Sequence, residues 1–159
     1  MGTTASMDAA VPPGVRYVRA ATPEAAGEYL TVVGGCNDCH TVGWAESNGN
    51  VAQADRLAGN PVGYKGPWGT TYAANLRLVA QHMPQDRWVS MLKTAMGGHG
   101  QPPMPWMNTR LMSDQDLGAM YTYIRSLGPK GERTPRSLPP GQTPKTPYVD
   151  MSTNPGTGR

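Results

Sequence analysis

Cys36-Asn37-Asp38-Cys39-His40 places two thiols and an imidazole within five consecutive residues. A Cys-x-x-Cys-His run is the pattern of covalent c-type haem attachment. The thiols add across the porphyrin's vinyl groups and the imidazole is offered to the iron. Two intervening residues let one helical turn present both sulfurs to the same edge of a flat macrocycle, and the adjoining His then reaches the metal at its centre. A redox-active disulfide, half of a zinc site and chance are the competing readings. Cys36 and Cys39 are the only cysteines among 159 residues, so no four-thiolate zinc site can be completed. A redox pair would gain nothing from the trailing His.

The sixth coordination position decides what such a haem can do: a thioether closes it and raises the iron's potential, whereas an open position admits small molecules. The chain has ten methionines. Met91, Met96 and Met120 fall in helical patterns; Met112 precedes a helix cap; Met83 precedes a helix start; and Met1, Met7 and Met151 lie in the tails. Met104 and Met107 remain, in Gln101-Pro102-Pro103-Met104-Pro105-Trp106-Met107. Prolines on both sides of Met104 fix the backbone and hold the thioether out with little entropy left to lose. Met104 is the expected ligand, and Met107, His99, His82 or an open site are the alternatives. His99, in a glycine-rich run, reads as a solvated loop residue able to displace the methionine at high pH.

The elements that must position these groups follow from caps and periodicity. Residues 1–21 read as an extended lead-in, with 1–6 set aside as a frayed or expression-derived end. Thr22-Pro23-Glu24 starts a helix, with Ala26, Tyr29, Leu30 and Val33 on one face. Gly27 leaves room there for a second helix. Residues 41–75 form a long segment rich in Gly, Asn and Pro, weakly helical only at 51–58, and expected to be shaped around a ligand. Within it, Trp68 and Tyr72 either contact the haem, lying over it or bonding a propionate, or fill the core. Pro84 opens a helix carrying Trp88, Val89, Leu92 and Ala95/Met96, closed at Gly97, and 97–112 read as a loop. Ser113 caps the last helix, with Asp116 completing an approximate capping box and Leu117, Met120, Tyr121, Ile124 and Leu127 at helical spacing until Gly128-Pro129. Its Tyr121/Ile124 face is expected to cross the first helix near Gly27. From 130 to 159 prolines dominate, giving an extended tail tacked down by Leu138, Tyr148 and Val149.

Composition supports a ligand-filled core. Hydrophobic residues make up 38%, Phe is missing, and 20 Gly and 16 Pro imply much loop. A buried haem would supply apolar bulk that the side chains lack. The formal charge of +3 is scattered, which argues against nucleic acid and favours an acidic protein partner only weakly. Lys65, Arg77, Arg87, Lys93 and Arg110 are candidates to steer such a partner, and Arg77 is also a candidate to pair with a propionate. No apolar stretch is long enough to cross a bilayer. Covalent haem attachment takes place outside the bacterial cytoplasm, so a secretory signal is expected, yet the first ten residues hold no apolar core of one.

With the haem motif after a first helix, a proline-flanked methionine and a capped last helix, the chain resembles the class I c-type cytochromes. More closely, Gly66-Pro67-Trp68-Gly69-Thr70-Thr71-Tyr72-Ala73-Ala74-Asn75-Leu76, Pro103-Met104-Pro105-Trp106 and the 112–127 helix are similar to haem modules in cytochrome subunits of bacterial quinone- or quinoprotein-linked dehydrogenases. The resemblance covers about residues 22–129. It implies an all-α cytochrome c fold of about four helices around one covalent haem c, with His40 and Met104 axial, and single-electron transfer in the periplasm with a redox partner protein. Two features depart from the pattern: one haem motif where such subunits carry several, and Leu76-Arg77-Leu78 where Thr-Pro-Asp is usual. A standalone carrier is therefore the favoured reading. A catalytic or gas-sensing haem with an open distal site, and a subunit docked through its Pro-rich tail, are the alternatives.

Overall fold

A computed structural model describes residues 15–94 and 100–152. Among the described residues six α-helices run in the order α1 (Pro23–Val33), α2 (Cys36–His40), α3 (Leu76–His82), α4 (Gln85–Thr94), α5 (Trp106–Leu111) and α6 (Asp114–Ser126). The caps read from the sequence are in place: the Thr22 hydroxyl accepts from the Ala25 amide, and the Ser113 hydroxyl from the Asp116 amide at 3.0 Å. Asp116 then uses a carboxylate oxygen to accept from the Val18 amide at 2.8 Å, which fastens the N-terminal lead-in to the start of α6.

Helices α1 and α6 form the crossing on which the fold rests. A Cβ on Gly27 would lie 2.1 Å from the Ala119 carbonyl oxygen and 2.6 Å from the Tyr123 Cβ, so the backbones touch there. The expected contact face is corrected by this geometry. Ala119 and Tyr123 meet α1, while Tyr121 turns to α4, with its ring 6.0 Å from that of Trp88 and its hydroxyl donating to the Met83 carbonyl. Leu30, Trp88, Leu92, Leu117 and Ile124 fill the core.

The all-α expectation is not met throughout. A small sheet has strand order β2-β1-β3, from β1 (Gly63–Gly66), β2 (Gly69–Tyr72) and β3 (Tyr148–Asp150). β1 and β2 are antiparallel, pairing Gly63 with Tyr72, Tyr64 with Thr71 and Lys65 with Thr70. β3, from the Pro-rich tail, adds to β1 in parallel, with Val149 opposite Tyr64. Leu138 exchanges two backbone hydrogen bonds with Thr70, at 2.8 and 2.9 Å. Gly69 makes this possible: its φ is 105° and a Cβ there would lie 2.1 Å from the Leu138 carbonyl oxygen. The tail is therefore sewn into the sheet by the Leu138, Tyr148 and Val149 contacts.

The 41–75 segment is ordered around buried groups, with a 3-10 turn (Gln53–Asp55) where weak helix was expected. Leu57 is fully buried although its φ is +62°, held by its amide N–H donating to the Thr41 hydroxyl at 2.8 Å. The helix stop expected at Gly97, and the expectations for Met96 and His99, lie outside the described residues.

Candidate haem site

The Cys-x-x-Cys-His run is one helical turn, α2, entered through Gly35 at φ 74°. A buried polar network that the motif alone does not reveal holds the turn. The Asn37 side chain, fully buried, donates to the Thr31 carbonyl at 3.2 Å and accepts from the Thr41 hydroxyl at 2.8 Å, and that hydroxyl in turn accepts the Leu57 amide. The variable position between the cysteines thus bolts α2 to the end of α1 and to the following loop.

His40 is 8% exposed. Its Nδ1 lies 2.7 Å from the Ala74 carbonyl oxygen. An acceptor there fixes the proton on Nδ1 and leaves Nε2 as the lone-pair nitrogen, the form in which imidazole binds a metal. Burial lowers the imidazole's pKa, opposed in part by the bond to Ala74, so the ring is neutral and ready to ligate near neutral pH. Cys36 and Cys39 are free thiols on the same turn. Burial pushes Cys36 up to about 11, the opposite of the depressed pKa that makes a Cys-x-x-Cys pair a redox nucleophile. Among the described residues no three His, Cys, Asp or Glu side chains converge as a metal site.

The sheet forms the wall beside α2, and strand alternation sorts its side chains. Tyr64, Gly66 and Thr71 share one face. Burial, and after it the nearby Cys39 thiol, drives the Tyr64 phenol's pKa up. Thr71 donates to the Pro102 carbonyl at 2.7 Å, two residues before Met104. The Trp68 ring covers Gly66, where a Cβ would lie 2.4 Å from it, and its Nε1 is buried without a hydrogen-bond partner. A buried, unpaired N–H on the face that also carries Tyr64 and Thr71 fits a porphyrin carboxylate. Together with a neutral Nε2 and two thiols on one turn, it gives a donor set suited to covalent haem.

Met104 is partly buried and packs against the core, whereas Met107, on the outer side of α5, is 74% exposed. His82 is exposed. Two other candidates are committed elsewhere. Tyr72 lies on the opposite face of the sheet, its hydroxyl 2.8 Å from that of Thr146 in the tail. Arg77 is buried and donates to the Gly128, Ala54 and Leu127 carbonyls at 2.7, 2.6 and 2.5 Å, clamping the end of α6 rather than facing a propionate or solvent. Of the other steering candidates, Lys93 pairs with Asp114 at 2.9 Å and Lys65 lies over the Tyr148 ring, while Arg87 and Arg110 are exposed. Sequence reasoning missed Asn37, Tyr64 and Thr71, whose roles arise from packing and cross-strand register.

A helical turn offering two thiols and an imidazole, beside a small sheet that bonds the loop of a packed methionine, defines a haem-attachment domain. Residues 24–128 match the family Cytochrome c, and the chain belongs to that family, whose members work in haem-based electron transfer. It is also 31% identical over 132 residues to a nicotinate dehydrogenase subunit of Pseudomonas putida. The match takes in 78% of this chain and 10% of that protein, so the chain spans about a tenth of its curated relative. No solved structure matches the chain. Among the described residues no helix is long and apolar enough to cross a membrane.

Proposed function

We propose that this protein is a periplasmic single-electron carrier holding one haem c, attached through Cys36 and Cys39 and ligated by His40 and Met104. The observation that carries the reading is the span of a single stretch of chain. Thr71 bonds the methionine loop and, three residues on, Ala74 fixes the His40 ring. An extended backbone advances roughly 10 Å over three residues, enough to reach from one face of a macrocycle to the other. Bound haem supplies a one-electron iron couple whose potential the thioether raises. Everything else is done by the chain. Ala74 holds the imidazole in its ligating tautomer, and burial keeps it neutral. The prolines around Met104 restrict the loop that presents the thioether. The Trp68 indole offers its N–H to a haem carboxylate.

Val32, Val33 and Val42 are exposed beside the attachment turn, and Met107 and Leu111 beside the methionine loop. They give a redox partner an apolar surface, and the exposed Arg87 and Arg110 favour one with an acidic docking face. The likeness to a dehydrogenase subunit supports a second reading, in which the partner is a dehydrogenase and the chain works as its haem module.

Exposure of the reduced protein to carbon monoxide tests the assignment. An electron carrier with a closed site leaves the reduced spectrum unchanged on mixing. Prompt formation of a carbon monoxide complex would move the function to a catalytic or gas-sensing haem.

A further inference from the structure

We propose that Thr71 is the positioning residue for the axial methionine. The proposal rests on Met104 as ligand and goes beyond it. Pro102, Pro103 and Pro105 have no amide hydrogen, so the loop around Met104 cannot be tied down by its own donors at these positions. Within the loop, the Trp106 indole and amide donate to the Gln101 and Met104 carbonyls at 3.1 and 2.9 Å, and the tie to the sheet comes through the Pro102 carbonyl. The Thr71 hydroxyl takes the Pro102 carbonyl at 2.7 Å, two residues from the thioether.

Thr71 is itself held in place. Its strand partner is Tyr64, on the same face of the sheet. Directly opposite residues in an antiparallel pair sit about 5 Å apart. Tyr64 and Thr71 thus form one cross-strand row, which bonds the methionine loop through Thr71. The tail braces the row from both sides: Val149 pairs with Tyr64 across β1, and Leu138 pairs with Thr70 at the outer edge of β2. Sliding the loop away from the iron thus requires breaking the Thr71 bond or moving a strand pinned on both edges.

Thr71→Val keeps the shape of the side chain and removes the hydroxyl; Thr71→Ser keeps the hydroxyl. The test is imidazole titration of the ferric haem-loaded protein, following loss of the near-infrared methionine-to-iron band, with urea unfolding measured in parallel. A hydrogen bond of ordinary net strength is worth a factor of about 5 in an equilibrium, so Thr71→Val should bind imidazole about 5-fold more tightly than the wild type. Thr71→Ser should return towards wild-type affinity, a rescue that a purely steric role would not give. Unchanged imidazole affinity in Thr71→Val, with the methionine band present in the wild type, would overturn the role of Thr71 alone. A wild type without that band would overturn the methionine ligation and this proposal with it.

Discussion

Gly27→Ala tests the helix crossing that sets α2 in place. The added Cβ would lie 2.1 Å from the Ala119 carbonyl oxygen and 2.6 Å from the Tyr123 Cβ. Ordinary carbon contacts lie at about 3.5–4.0 Å, so the shortfall exceeds 1 Å against atoms of the α6 backbone and its first side-chain carbon. Neither can rotate away, and the helices must part. Alanine returns about 1 kcal/mol of helix propensity over glycine, while overpacking costs roughly 1–3 kcal/mol, the upper end applying where backbone is struck. The net expectation is a loss of about 2 kcal/mol, or about 4–8 °C in Tm for a chain of this size. Gly118→Ala is the internal control. There the new Cβ would lie 2.7 Å from Nε2 of Gln85, the free end of a flexible side chain that can swing aside. Propensity then dominates, and the variant should be neutral to about 1 kcal/mol more stable. Urea unfolding of the haem-loaded variants, followed by far-ultraviolet circular dichroism, measures both. Equal stability of Gly27→Ala and wild type, or equal losses for both variants, would refute the close-crossing argument.

Arg77→Lys should cost roughly 2–3 kcal/mol in urea unfolding, because an ammonium cannot reproduce the forked contacts to three carbonyls, while the reduction potential stays where it was. A shifted potential with undiminished stability would instead put Arg77 at the haem. Asn37→Ala should cost about 2–3 kcal/mol by breaking both bonds of a fully buried amide, and an unmoved urea midpoint would contradict the bracing role given to it.

What the sequence made legible was local. The attachment turn, the Thr22 and Ser113 caps and the α6 periodicity are set by residues within a few positions of one another. The sheet was not legible for a physical reason. β1 and β2 are four residues each, both begin with glycine, and β1 takes its other neighbour, β3, from the far end of the chain. Strands that short show no alternation to read. Asn75 illustrates the same limit: it caps α3 through Leu78 and also ties the tail by donating to the Lys130 and Glu132 carbonyls. Arg77 resembled a surface cation because its partners are backbone carbonyls, which carry no residue signature. Periodicity put Tyr121 rather than Tyr123 against α1, because α6 is packed by α1 on one side and α4 on another and a single stripe does not say which partner it meets.

The most direct measurement of the central claim is the near-infrared spectrum of the ferric protein beside that of Met104→Ala. With His40 and Met104 on the iron, the wild type shows the methionine-to-iron band, and the variant loses it and binds exogenous imidazole readily. A band that survives in Met104→Ala, or a wild type that never shows one, would contradict the account.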